Sequence, residues 1–221
     1  MIKKLGICGD SFMFTRPPDT IHWTSQLACI DKSIDQINLS LSGTSNIMIA
    51  NQVRNAVNYN CDSLVVGFTE FVRFEFDLNY HQYINCRDIQ HTVNNYDNRW
   101  LSCTRSNRLS KKESEFRTLY HKQMSHDWLA LQSYYVILST LHFLTNTKIN
   151  FAYSLGGFAI PYEFFNRFCI PNELEQFESK MLNVNLWRYP GEKVLSGFHV
   201  YDQAYQRNFL DDTIKTLTQH D

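Results

Sequence analysis

Residues 2 to 11 read IKKLGICGDS, and residues 62 to 70 read DSLVVGFTE. Each is a compact apolar run closed by a glycine and followed at once by polar residues. Runs this short, without polar alternation, are the pattern of strands buried on both faces, as in a parallel sheet. The chain between them has the right composition for crossovers. Trp23 to Ile30 suits a helix, Gln36 to Leu41 a strand, and Asn46 to Tyr59 a second helix with Ile47, Ala50, Val53 and Val57 on one face. The opening order is therefore strand, helix, strand, helix, strand.

From about residue 74 to 112 the rhythm breaks into a polar, aromatic, asparagine-rich segment with no sustained period. Long stretches of this kind inside a domain serve as lids or contact surfaces. Glu113 to Thr145 then reads as the longest helix, with Trp128, Leu131, Tyr135, Leu138 and Leu141 on a shared face. Ile149 to Ser154 reads as a fourth strand before Gly156 and Gly157, Leu182 to Trp187 as a weaker fifth, and Asp202 to Leu217 as a last helix with Leu210, Ile214 and Leu217 aligned. The prediction is a single α/β domain over residues 1–221, with a central parallel sheet of about five strands covered on both faces by helices.

Composition narrows the function classes. The chain of 221 residues can bury a full core without disulfides or metal. Its 21 Lys and Arg nearly balance 22 Asp and Glu, for a formal charge of -1, so no global field favours nucleic acid or anionic lipid. The six cysteines, Cys8, Cys29, Cys61, Cys86, Cys103 and Cys169, form no C-x-x-C pair and are expected as reduced thiols. His121 and His126 are spaced for different helix faces, so no zinc helix is expected. Neither a metal nor a cofactor is predicted. The first residues lack the apolar length of a signal peptide or anchor, and no stretch approaches membrane-spanning length. A soluble, cytoplasmic protein is the expectation.

In doubly wound sheets, ligands bind outside the carboxyl ends of the strands. Three polar, glycine-bearing clusters fall there: Gly9-Asp10-Ser11, Ser42-Gly43-Thr44-Ser45-Asn46 and Gly67-Phe68-Thr69-Glu70. A serine in such a turn can present both its hydroxyl and its backbone N–H. Its plain alternative is a polar turn residue. Arg73 and Glu75 follow the third cluster, where an arginine can fix an anionic substrate group; solvated charges on an alternating segment explain them equally well. Tyr80, Tyr83, Tyr96 and Trp100 in the insertion offer stacking faces for sugars or for another protein. His22, beside Trp23, reads as a packing residue.

Gly9-Asp10-Ser11, the later Gly43 and the third-strand glycine together resemble the first three sequence blocks of the SGNH (GDSL-type) hydrolases, and the resemblance spans most of the chain. It implies a flavodoxin-like three-layer α/β/α fold and a serine ester hydrolase. It also implies a small-molecule or carbohydrate ester as substrate, with an O-acyl group on a sugar as one form. Ser11 would be the nucleophile and His199 the general base. The N–H groups of Ser11 and Gly43, with Thr69, would form the oxyanion hole, and Asp10, Asn46, Arg73 and Glu75 are candidates for substrate binding. The stretches Gly43 to Asn46 and Gly67 to Thr69, with Arg73 and Glu75, are also similar to a phage and environmental subgroup, for which a virion location would be an alternative.

Two positions depart from the family pattern. Thr69 stands where the family has asparagine, and Ser196 where it has the aspartate that orients the base. Losing one oxyanion donor costs about a hundred- to a thousand-fold, and disabling the orienting aspartate about ten-thousand-fold. Asp202 reads more simply as the N-cap of the last helix. The second reading is therefore a binding or assembly protein that kept the scaffold, lost turnover and uses residues 74–112 to contact a protein partner. A phosphate binder using the Gly43 to Asn46 turn ranks last, since no Walker or G-x-G-x-x-G pattern accompanies it.

Overall fold

The computed structural model describes residues 2–14, 21–41, 44–71, 75–77, 100–102, 115, 119, 123, 125–156, 162–186 and 202–219. In chain order the elements are β1 (Lys4–Gly9), α1 (Trp23–Ile30), β2 (Asp35–Asn38), α2 (Asn46–Asn58) and β3 (Ser63–Phe68). They continue with β4 (Glu75–Asp77), β5 (Trp100–Ser102), α3 (His126–Thr145), β6 (Asn150–Leu155), α4 (Tyr162–Phe168), a 3-10 segment (Glu173–Lys180) and α5 (Gln203–Thr218). The main sheet has four strands in the order β2-β1-β3-β6, and every pairing in it is parallel.

Side-chain alternation along these strands makes the three layers. Leu5 and Ile7 of β1, Val65 of β3 and Ala152 of β6 point to one face, where Trp23 and Leu27 of α1 and Phe209, Leu210 and Leu217 of α5 complete a core. Cys8, Leu64, Val66, Phe68, Phe151 and Tyr153 point to the other, against Ile49 and Val53 of α2, Ile137 and Leu141 of α3, and Phe164 and Phe165 of α4. Each buried aliphatic or aromatic side chain contributes about 1.5–3 kcal/mol on this count, which holds the helices to both faces. The expected α/β/α architecture is thus present, with four strands in the main sheet among the described residues where about five were expected.

Among the described residues the expected fifth strand stops after one bridge, for a local reason. The segment expected as a fifth strand makes only one parallel bridge, Met181 opposite Tyr153, and one bond from Leu182 N–H to the Tyr153 carbonyl at 2.8 Å. The next backbone donors are captured from outside the sheet: the Asp212 carboxylate of α5 accepts the N–H of Asn183 at 2.6 Å and of Val184 at 2.9 Å. A strand cannot continue once its donors are taken by a side chain.

Two helix faces differ in part from expectation, although Ala50, Val53, Leu138 and Leu141 are buried as expected. In α2 the buried residues include Asn46, Ile49, Gln52 and Ala56, while Ile47 is 55% exposed. In α3 the buried stripe runs through Leu129, Tyr134, Ile137, Leu141 and Leu144, leaving Trp128 and Tyr135 outward. Both helices turn polar residues inward, and those residues carry hydrogen bonds described below. The single helix expected over Glu113 to Thr145 is interrupted: Glu115, Leu119 and Gln123 are helical, but Ser125 is extended (φ -69°, ψ 146°) and caps α3 by accepting the Trp128 N–H, so α3 begins afresh at His126. Within the 74–112 insertion, β4 and β5 pair antiparallel as a separate two-stranded sheet, with Phe76 opposite Leu101. Tyr80, Tyr83 and Tyr96 lie outside the described residues.

Candidate active site

The strand order reverses between β1 and β3: the chain moves from β1 to β2 on one side and then to β3 on the other. This is the switch point at which a doubly wound sheet opens a crevice at its carboxyl edge. Gly9 ends β1 there, paired in register with Gly67 of β3. Gly9 has φ +155°, and a Cβ on it would lie 2.4 Å from Met13 Cγ and 2.9 Å from the Gly67 carbonyl oxygen. Glycine is therefore required both by backbone conformation and by the close approach of the next turn.

That turn carries Ser11. Met13 N–H donates to the Asp10 carbonyl at 3.1 Å, and Phe12 N–H donates to Asp10 Oδ1 at 3.0 Å, so one residue closes the turn with both its backbone and its side chain. Ser11 sits at the apex, half-buried, and neither its hydroxyl nor its backbone N–H has a hydrogen-bond partner among the described residues. Both groups are thus available to a ligand.

The turn is fastened from several directions. Asp10 is fully buried, and its Oδ2 accepts the hydroxyl proton of Thr69 at 2.7 Å. Thr69 is itself fully buried at the end of β3 and is clasped by Asn46: its N–H donates to Asn46 Oδ1 at 2.8 Å, and its carbonyl accepts from Asn46 Nδ2 at 3.0 Å. The same Nδ2 reaches Ser133 Oγ of α3 at 3.3 Å, and Ser133 Oγ donates to the Phe71 carbonyl at 3.1 Å. Behind the turn, Gln52 Oε1 accepts the Gly9 N–H at 2.7 Å, although Gln52 Nε2 is buried without a partner. On the opposite layer His22 caps α1 by accepting the Thr24 N–H at Nδ1. That bond fixes the proton on Nε2, which lies 3.0 Å from the Phe12 carbonyl and donates to it.

Of the residues singled out in the sequence, the structure thus brings Asp10, Ser11, Thr69 and Asn46 together. Their roles are unequal. The single hydroxyl proton of Thr69 is engaged by Asp10, and the Asn46 carboxamide is spent on the Thr69 backbone and Ser133, so both support the turn. Gly43, Arg73, Ser196 and His199 lie outside the described residues, as does the side chain of Glu75, whose backbone pairs in β4 opposite Ser102. Sequence reading missed Gln52 as a support and gave His22 only a packing role. The available signal was their polarity on otherwise apolar helix faces beside Gly9 and Phe12.

Cys8, one residue before Gly9, is a free thiol whose acidity is suppressed: burial, and secondarily Cys61, push its pKa far above the ordinary thiol range. A protonated, buried thiol is no competitor to Ser11 as nucleophile. Among the described residues no group of three or more His, Cys, Asp or Glu is placed to hold a metal ion, and no helix is long and apolar enough to cross a membrane.

The fold and this turn define a three-layer α/β protein with a serine presented at the sheet's switch point. No protein-family model matches the chain, and no curated protein does. Among solved structures it is similar to the psychrotrophic esterase EstA from Pseudoalteromonas sp., at 11% identity over 96% of this chain and 97% of that one, with a TM-score of 0.49. It is also similar to TesA, at 13% identity over 97% and 98% with a TM-score of 0.49. A member of the lipolytic protein G-D-S-L family from Veillonella parvula DSM 2008 is similar at 10% identity over 98% of both chains, again with a TM-score of 0.49.

Proposed function

We propose that this protein is an SGNH-like serine ester hydrolase with Ser11 as nucleophile. The observation that carries the reading is the state of Ser11: at the apex of a rigidly closed turn, at the switch point, with hydroxyl and N–H both unengaged. A nucleophile must be exposed to the acyl carbon, while its own N–H is aimed where the oxyanion forms; a side chain committed to a structural bond can do neither.

In this reading Ser11 Oγ attacks the acyl carbonyl while His199 accepts its proton. The oxyanion is held by the N–H groups of Ser11 and Gly43, and the alcohol leaves with the proton returned by His199. Water then attacks the acyl-serine by the reverse relay and releases the acid. The substrate is a small-molecule ester, with an O-acylated carbohydrate as the finer proposal, for which the aromatic insertion supplies stacking faces and Arg73 and Glu75 the orienting charges. Labelling by a fluorophosphonate probe tests the mechanism: loss of labelling in both Ser11→Ala and His199→Ala supports it, and persistence in either variant sinks that residue's role.

A second reading is favoured by one specific observation. With the Thr69 hydroxyl proton held by Asp10 and Ser196 in the place of the orienting aspartate, two aids to turnover are weakened together. The same scaffold would then bind an ester or a protein partner without turning it over. A folded wild-type protein that binds acylated sugars but never labels would support this reading.

A further inference from the structure

We infer that Thr69 is a positioning residue for the nucleophile turn and not a donor to the oxyanion. The inference deepens the hydrolase reading, and only its rate measurement depends on that reading.

The argument is one of proton count. A threonine hydroxyl has a single proton. At 2.7 Å from an oxygen of the fully buried Asp10, the proton is engaged in a short hydrogen bond away from water, and a proton so engaged is not offered to a substrate oxygen. The clasp by Asn46 fixes the backbone from which that hydroxyl projects: Thr69 N–H and carbonyl are both held, at 2.8 and 3.0 Å, and Asn46 is held in turn by Ser133. Rigidity is therefore passed from α3 through the start of α2 to the end of β3, and from there through one hydroxyl to Asp10. Asp10 spends its other oxygen on Phe12 N–H, the amide that follows Ser11. Removing the Thr69 hydroxyl deprives the buried carboxylate of this donor while leaving the space filled, and the Asx turn under Ser11 loosens.

Phe12 amide exchange and the rate of fluorophosphonate labelling, measured on the full chain, test this in Thr69→Val and Thr69→Ser. A buried acceptor left without its donor corresponds to about a ten- to hundred-fold change in a local opening equilibrium. In Thr69→Val, Phe12 exchange should therefore accelerate by at least about ten-fold, and labelling should slow as the turn loses its register. Thr69→Ser, which keeps the hydroxyl, should restore both. If Phe12 exchange in Thr69→Val equals that of the wild type while labelling slows, Thr69 acts on the oxyanion directly and the inference is overturned. If both are unchanged, it is overturned as well. Should the valine variant not fold, Thr69→Cys, which offers only a weak S–H donor, is compared with Thr69→Ser: equal Phe12 exchange in the two refutes the inference, and faster exchange in the cysteine variant supports it. A wild type that never labels defeats the hydrolase reading alone, because the exchange measurement still decides the role of Thr69.

Discussion

Replacing Asn46 separates a support role from a substrate role. The side chain makes three hydrogen bonds, and two of them satisfy the backbone N–H and carbonyl of Thr69, which is fully buried. Asn46→Ala strands both groups, and each buried, unsatisfied backbone group costs about 1–3 kcal/mol. Helix propensity at the first residue of α2 returns at most about 0.7 kcal/mol. Water entering the vacated space recovers part of the remainder, leaving a net loss of about 2–4 kcal/mol. At about 2–4 °C per kcal/mol for a chain of this size, Tm should fall by about 5–15 °C. Urea unfolding followed by tryptophan fluorescence would show the midpoint moving down with an unchanged slope. Asn46→Asp sharpens the test, because a carboxylate at a helix N-terminus is ordinarily stabilising by about 0.3–1 kcal/mol. Here it keeps the acceptor for Thr69 N–H but turns a second oxygen toward the Thr69 carbonyl, so it should destabilise. A midpoint unchanged within error in Asn46→Ala, together with a raised KM, would refute the clasp and return Asn46 to substrate binding.

Ser11→Ala removes a half-buried hydroxyl with no partner among the described residues, so it should abolish probe labelling while shifting stability by no more than about 0.5 kcal/mol, read from the same urea curves. Gly9→Ala forces a side chain onto a φ of +155° and against Met13 and the Gly67 carbonyl, and should lose about 1–3 kcal/mol together with labelling. His22→Ala removes the α1 cap and the donor to the Phe12 carbonyl, costing about 1–3 kcal/mol by thermal unfolding, of which His22→Asn should recover only the cap. Burial lifts the Tyr153 phenol from 10.0 to about 12. A folded-state pKa above the unfolded one gives stability that is complete below pH 10 and lost as pH rises through about 12. That shift corresponds to about 2–3 kcal/mol, and Tyr153→Phe should remove that share of the alkaline destabilisation in urea titrations between those limits.

How much of this was legible in the chain depended on what each residue answers to. The strands β1, β3 and β6 were readable because an uninterrupted apolar run has few alternatives. The fifth strand was not, since Leu182 to Trp187 has strand composition, while in the described part Asp212, far along the chain, takes the N–H groups of Asn183 and Val184. The faces of α2 and α3 were read correctly at Ala50, Val53, Leu138 and Leu141 and wrongly at Ile47, Trp128 and Tyr135, for a related reason. Periodicity counts apolar positions, whereas Asn46, Gln52, Ser133 and Tyr134 turn inward for hydrogen bonds that sequence cannot display.

The same distinction governs the site. Glycine and serine at the end of β1 were legible because backbone geometry and an exposed hydroxyl leave a short signature. The identity of Thr69 was legible too, but not the direction of its proton, and that direction decides its role. A hydroxyl facing the crevice would make position 69 part of the chemistry. A hydroxyl facing Asp10 makes it part of the frame. In the proposed hydrolase the Ser11 N–H is then the oxyanion donor among the described residues, and its placement depends on the turn Asp10 closes. The substitution that looks like a lost donor in the sequence places its one proton, in the structure, on Asp10 under the turn that carries Ser11. Rate and turn rigidity should therefore change together across variants of Asp10, Asn46 and Thr69, and a variant that loosens the turn without slowing Ser11 would break that link.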